Sequence, residues 1–315
     1  MTSVHVFDIL NSFKEVGEDF EIGKSHYWIL LKADELDKIR HILVLDEESL
    51  QECINLDQFP KLSFFSGYMF IVFNILQYSD SEVVSKELNI FLSKDYIITV
   101  YKESLQIINE LIEDINESKN TFILKEKPNA SIVLYYILDR IILGNYEVIS
   151  SLEAHADKIE ISILRGPRQE QLDELIHQRR QVYKIRKYLN PLRYIGDSLI
   201  SNENKIIDEG SIGYFKNLNS KIDKLMLSIE SLVQDLALVR EAFESEISNK
   251  TNELTKIFTL IASIFLPLNL ITSMYGTNFK NIPFVGLEYG YYYMSAAMIL
   301  TSLGLLYLFK KKKWL

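Results

Sequence analysis

Two stretches near the C-terminal end decide what this chain can fold into. Ile257 to Phe279 and Tyr289 to Phe309 run for 23 and 21 residues without one charged side chain. A helix of about 20 residues crosses a hydrocarbon core of about 30 Å, so each stretch predicts a transmembrane helix. Tyr291-Tyr292-Tyr293 and Trp314 stand at opposite ends of the second stretch, as interfacial aromatics do. Lys310 to Lys313 follow it and predict a basic cytoplasmic tail over 310–315. An even number of spans then puts both chain ends in the cytoplasm, with a short outer loop over 280–288. A buried helical hairpin in a soluble protein is the competing reading, and the pairing of two such spans with the lysine run argues against it. Met1 to Phe13 lacks a basic segment followed by an apolar run, so no cleaved signal peptide is expected.

The remainder alternates charge and hydrophobe as a soluble domain does. Strand signals fall at 27–31, 42–45, 68–75, 88–92 and 96–100, short runs rich in β-branched and aromatic residues, with Ser79-Asp80-Ser81 and Ser93-Lys94-Asp95 as turns. From Ser104 the spacing turns helical. Leu105, Ile108, Leu111, Ile112 and Ile115 share a face, a further helix is expected over 130–163, and Gly166-Pro167 separates it from another over 168–189. Strands followed by helices predict an α+β or three-layer domain over residues 1–210. The single cysteine, Cys53, excludes an intrachain disulfide and a thiolate zinc site. A net charge of −9 argues against nucleic-acid binding, which needs a basic footprint.

Between these parts lies the most regular segment. Ile222, Leu225, Ile229, Leu232, Leu236, Val239 and Phe243 step by three and four, and neither glycine nor proline occurs in the 53 residues between Gly213 and Pro267. One helix of about 80 Å is predicted, a stalk over 211–256 running into the first span over 257–279. Polar residues interrupt that span with a regular spacing. Asn252, Thr259, Leu266 and Ser273 are seven apart, as are Thr255, Ala262, Asn269 and Gly276. A period of 3.5 residues keeps facing one partner or axis as helices wind together. Thr, Ser and Gly are also ordinary packing residues between membrane helices, but several copies around an axis would turn this edge into the wall of a watery path. Leu266 would then be an apolar constriction that can dewet.

Pro267, Tyr275-Gly276-Thr277-Asn278-Phe279, the loop proline Pro283 and the closing Lys-Lys-Lys-Lys-Trp-Leu resemble the CorA-type magnesium transporters. Upstream, Asn249-Lys250-Thr251-Asn252, Leu189-Asn190-Pro191-Leu192-Arg193, and Pro60-Lys61-Leu62 with Phe64-Phe65 are similar to the same family, so the resemblance covers roughly residues 40–315. It implies a homopentamer with a cytoplasmic αβα funnel, a stalk helix continuous with a pore-lining first span, and a peripheral second span. It carries Gly276 and Asn278 onto an outer selectivity ring, with Thr277 between them, Asn252 onto a ring at the cytoplasmic mouth, and Leu266 onto a hydrophobic constriction. The implied cargo is a hydrated divalent cation, Mg2+ first, with Co2+ and Ni2+ as passengers, in the plasma or inner membrane. Mg2+ gives up water reluctantly and prefers octahedral oxygen at about 2.1 Å, so a ring of amide and carbonyl oxygens would hold it by its waters.

Two departures bear on the cation. The family's middle residue is usually Met, and here it is Thr277; relatives that differ there, such as the ZntB-type zinc transporters, handle other metals. The outer loop offers Lys280 and one acid, Glu288, so cation collection there should be weak. The region that carries regulatory cation sites in relatives reads Tyr214-Phe215-Lys216-Asn217 here, with Asp80 and Asp223 as acids that spacing alone does not assign. The five histidines, His5, His26, His41, His155 and His177, lack a paired ligand spacing, and Asp173 with His177 reads as a surface pair. Arg179, Arg180, Lys184, Arg186 and Lys187 form a basic cluster suited to solvent or a neighbouring protomer. No glycine-rich phosphate loop occurs and no nucleophile, base and orienter stand together, so neither nucleotide hydrolysis nor an enzyme is expected, and no organic cofactor. A zinc or other transition-metal transporter and a membrane-anchored scaffold are the rival readings.

Overall fold

A computed structural model of the chain describes residues 4–17, 20–39, 45–54, 58–278, 282–283 and 286–314. Most of the expected strand at 42–45 and part of the 280–288 loop, Lys280 included, lie outside these residues.

The N-terminal unit is built on one seven-stranded sheet: β1 His5–Asp8, β2 Lys14–Val16, β3 Tyr27–Lys32, β4 Lys61–Phe65, β5 Tyr68–Ser79, β6 Glu82–Leu92 and β7 Tyr96–Tyr101. The spatial order is β2-β1-β3-β7-β6-β5-β4. β3 and β7 run parallel, Ile29 opposite Ile98, and every other neighbouring pair is antiparallel. The long β5–β6 hairpin turns on Asp80 and Ser81, both at positive φ of 52° and 65°, the geometry a two-residue primed turn demands.

Side chains alternate across the sheet, so each face has its own core. On one face Ile29, Tyr68, Phe70, Phe91 and Ile98 pack with Leu36 and Ile39 of α1 (Leu36–Ile39) and with Leu50 and Cys53 of α2 (Glu47–Ile54). The other face meets a layer made of α3 Gln106–Asn116, α4 Phe122–Glu126, α5 Ala130–Arg165 and α6 Gln169–Ser201. There Phe73 shares a small apolar void with Leu138 and Ile141 of α5 and with Leu192 of α6. Lys184 and Gln181 of α6 clasp the carbonyl and amide of Val83 at 2.6 and 3.0 Å. The unit is therefore the three-layer αβα domain expected.

α6 does not stop at 189. It continues through Pro191 to Ser201 because Leu189, Leu192, Ile195 and Leu199 are all buried. The proline removes only the bond to the Lys187 carbonyl, and Lys187 is exposed to water. The helix ends on Asn202, left-handed at φ 46°, whose side chain bonds the amide and carbonyl of Ile207.

The last two helices are α7 Ile212–Tyr275, 64 residues long, and α8 Gly290–Lys311. α7 is continuous through Pro267, as a stalk running into a membrane-length segment requires. Its heptad-like stripe, however, is no free seam. Leu225, Ile229 and Leu232 are 0% exposed, and Val239 and Phe243 are buried too. The first third of α7 is pinned to its own chain, by Lys221 to Asp139 and Tyr146 of α5, and by Asp223 and Asn219 to Arg193 and Asp197 of α6. From Glu244 to Thr259 no residue is buried.

Candidate ion-facing surface of the long helix

The upper part of α7 has two unlike sides. Leu260 is buried, and Ile264, Pro267, Leu268, Ile271 and Tyr275 are half-buried, one face at helical spacing. α8 has a matching face, with Met294, Met298, Thr301, Leu305 and Phe309 half-buried. Met298 and Leu268 border one crevice together with Phe265, Asn269 and Thr272.

All eight polar-stripe positions, Asn252, Thr255, Thr259, Ala262, Leu266, Asn269, Ser273 and Gly276, are exposed. At 3.6 residues per turn they centre about 170° around the helix from the half-buried face. Leu266 is 66% exposed. Among the described residues the chain thus covers one side of α7 and leaves these eight positions exposed, with Ala262, Leu266 and Asn269 bordering the crevice that Met298 shares.

Hydrogen bonding divides the polar side chains of this part of α7 into two kinds. The Thr259 hydroxyl donates to the Thr255 carbonyl at 2.8 Å, the Ser263 hydroxyl to the Thr259 carbonyl at 2.7 Å, and the Thr272 hydroxyl to the Asn269 carbonyl at 2.9 Å. Such back-bonding hides the hydroxyl hydrogen where lipid or a tight path offers no partner. The amides of Asn252 and Asn269 have no hydrogen-bond partner among the described residues. An amide left so at mid-span is costly against hydrocarbon and costs little against water.

The three residues of the expected outer ring lie beyond the helix. α7 ends at Tyr275, and Gly276, Thr277 and Asn278 form a turn beyond it. The Gly276 amide donates to the Thr272 carbonyl at 2.9 Å, and the Thr277 hydroxyl to the Met274 carbonyl at 2.7 Å. Asn278 is exposed.

The secondary candidates are engaged elsewhere. Asp223 pairs with Arg193 at 3.0 Å, Phe215 is buried, and Asp80 sits in the β5–β6 turn beside the Ser79 hydroxyl. His5 meets Glu15, and His155 bridges Tyr78 and Glu174 at 2.8 and 2.6 Å. His177 meets the Ser81 carbonyl at 3.0 Å, and Asp173 takes the Gln169 amide, so these two do not form the expected surface pair; His41 lies outside the described residues. Of the basic cluster, Arg179 lies over Tyr183 and holds its phenol below the ordinary range. Glu153 of α5 lies near Asp157 and Asp235, and burial together with those two charges raises its carboxyl above the usual range. Among the described residues no group of three or more His, Cys, Asp or Glu side chains is placed to hold a metal ion.

The sequence profile of the family described as "CorA-like Mg2+ transporter protein" matches residues 23–311. The "Cobalt/magnesium transport protein CorA" of Thermotoga maritima is 26% identical over 286 residues, covering 90% of this chain and 81% of that protein. Among solved structures, the complete CorA magnesium transporter from Methanocaldococcus jannaschii superposes with a TM-score of 0.85 at 20% identity, covering 100% of this chain and 99% of that one. The full-length CmaX protein superposes with a TM-score of 0.75 at 18% identity, covering 99% and 97%. The fold is shared from the first strands to α8.

Proposed function

Because this chain belongs to the CorA-like Mg2+ transporter family, we propose that it conducts hydrated divalent cations across a cell membrane, Mg2+ foremost, along a path enclosed by α7 from five copies. Membership of a transporter family agrees with the absence of enzymatic machinery in the sequence. The observation that carries the reading is the open polar edge of α7, on the side away from the half-buried face. One copy alone would set that edge against acyl chains, at a cost its isolated amides could not offset. Five copies turn it inward on water.

In this reading residues 1–210 and the stalk over 211–256 are cytoplasmic, 257–279 and 289–309 are the membrane segments, 280–288 faces outward, and 310–315 returns to the cytoplasm. Two apolar helices of membrane-crossing length support a membrane location. Gly276, Thr277 and Asn278 form the outer ring, where Asn278 amide oxygens hold the ion by its waters and Gly276 leaves room for neighbouring backbones. Asn252 rings the inner mouth, Leu266 constricts the middle, and Thr255, Thr259, Ala262, Asn269 and Ser273 line the rest. Neutral ligands suit conduction because they release what they bind. Magnesium is preferred because an amide ring matches its intact hydration shell; Co2+ and Ni2+ are the expected passengers.

Thr277 favours a second reading on the same fold, transport of Zn2+ or another transition metal. Reconstitution in liposomes separates the two. Wild type is expected to admit Mg2+, and Asn278→Ala to lose uptake by on the order of 10²-fold or more, since a hydrogen bond of at least about 0.5 kcal/mol disappears from each of five copies. Entry of Zn2+ without Mg2+ would replace the magnesium reading. Unchanged uptake in Asn278→Ala would sink the ring, and no uptake at all would favour a tethered scaffold. Crosslinking of the same sample should give pentamers.

A further inference from the structure

We infer that Thr277 is a positioning residue whose hydroxyl ties the Gly276–Asn278 turn to the last turn of α7, so fixing where the Asn278 amide stands. The inference rests on the reading of Asn278 as an ion-facing group. It gives Thr277 a role other than that of a ligand.

A helix end leaves its last carbonyls without intrahelical donors. At the end of α7 the Thr272 carbonyl is taken by the Gly276 amide at 2.9 Å. The Met274 carbonyl receives two donors from one residue, the Thr277 amide at 3.4 Å and the Thr277 hydroxyl at 2.7 Å. The amide contact is longer than an ordinary N–H···O bond, whereas the hydroxyl contact has the usual O–H···O length. At Met274 the side chain therefore makes the shorter of the two contacts.

Beyond the Gly276 amide bond, the residues flanking that tie add little to hold it. Gly276 is the most freely rotating kind of residue. Among the described residues a Cβ there would meet the Thr272 and Ser273 carbonyls alone, at 3.4 and 3.5 Å, so none of them packs closely enough to stiffen it. Asn278 follows Thr277 directly and is exposed. Without the hydroxyl bond, its amide would follow a glycine bonded only through its own amide and a long amide contact at Thr277. With the bond, the hydroxyl hydrogen points into the helix end, and the orientation of the next residue is set by α7 itself. A methionine at this position has no hydrogen to donate, so a turn with Met in place of Thr277 would have to be held by other means.

The test uses the full-length protein in lipid nanodiscs and liposomes, with Thr277→Val, which keeps the shape and loses the donor, beside Thr277→Ser, which keeps the donor. The first readout is amide hydrogen exchange at Gly276 and Thr277. Thr277→Val should exchange about fivefold faster than wild type, the factor expected for one neutral hydrogen bond, and Thr277→Ser should recover most of that protection. The second readout is the dependence of Mg2+ and Zn2+ entry on concentration. The half-saturating Mg2+ concentration should rise by a similar factor in Thr277→Val and fall back in Thr277→Ser, with the maximal rate less affected. Equal exchange in the two variants would overturn the tie while leaving the transport reading untouched. Protection that follows the hydroxyl in a protein that admits neither cation would overturn the ion-facing reading of Asn278, and the positioning role with it.

Discussion

The lower and upper parts of α7 share one helix and one spacing, yet they answer different needs. From Ile222 to Phe243 the steps of three and four carry large apolar side chains, all buried within the chain. From Asn252 to Gly276 the same steps carry Asn, Thr, Ser, Ala and Gly with a single Leu, and every one is exposed. The lower stripe is complete in one copy, because α5 and α6 hold that part of the helix through Asp139, Arg193 and Asp197. Among the described residues nothing buries the upper stripe. Regular spacing therefore says that a helix face has a partner; only the chemistry of the face says whether that partner is the chain's own core or something else.

The comparison can be broken at either end. The largest effect should come from the lower part. Leu232 is 0% exposed, so Leu232→Ala should cost about 3 kcal/mol of stability through lost burial and the cavity left behind. Thermal or denaturant unfolding of the purified protein measures it, and a loss below about 1 kcal/mol would mean that the lower stripe is not core. An intermediate effect, opposite in kind, is expected above. Asn269→Leu removes an amide without a partner, so folding stability in the bilayer should stay within about 1 kcal/mol of wild type while Mg2+ entry falls. If the variant instead unfolds and its ion entry per folded protein is normal, Asn269 is packing rather than lining.

The smallest effect tests whether the acids flanking α5 and α7 matter at all. The Glu153 carboxyl is raised by burial first and by Asp235 and Asp157 next. A carboxyl raised in the folded state binds more protons there than when unfolded, so stability is lower above the raised value. It is gained as pH falls through that value towards the ordinary carboxylate range. Glu153→Gln should therefore raise the melting temperature at neutral pH by about 1–2 °C, less than a buried pair would, because solvent screens the site. The gain should vanish in mild acid, and a constant gain across pH would point to packing.

Much of this architecture is legible in the sequence, and the misses have physical causes. The two membrane-length helices announce themselves because twenty residues without charge have few other uses. β3, β7 and the apolar stretches of β5 and β6 announce themselves through buried β-branched runs. β1 and β2 do not: β1 buries only Val6 and β2 buries nothing, so neither has an apolar pattern to notice. The outer half of the β5–β6 hairpin is similarly silent, since Gln77 and Ser79 face Val84 and Glu82 and are held by backbone pairing rather than burial. Pro191 misleads by offering a stop signal inside a helix whose buried Leu192, Ile195 and Leu199 outweigh it. The polar edge of α7 was readable because its period matches the helix. The tie from Thr277 to Met274 was not, because it depends on the helix ending at Tyr275, which an uncharged run continuing to Phe279 conceals.

The back-bonded hydroxyls have a consequence of sign. Thr259 gives its hydrogen to the Thr255 carbonyl, so outward it can offer only lone pairs. In the proposed assembly a ring of such oxygens would be faintly negative all round, although no group in it is ionised. At that ring chloride would find no hydrogen to welcome it, and a metal's bound waters, which point their hydrogens outward, would find acceptors. Discrimination between cation and anion would then come from which way a few hydroxyls are turned, and it would survive changes of pH that silence a carboxylate.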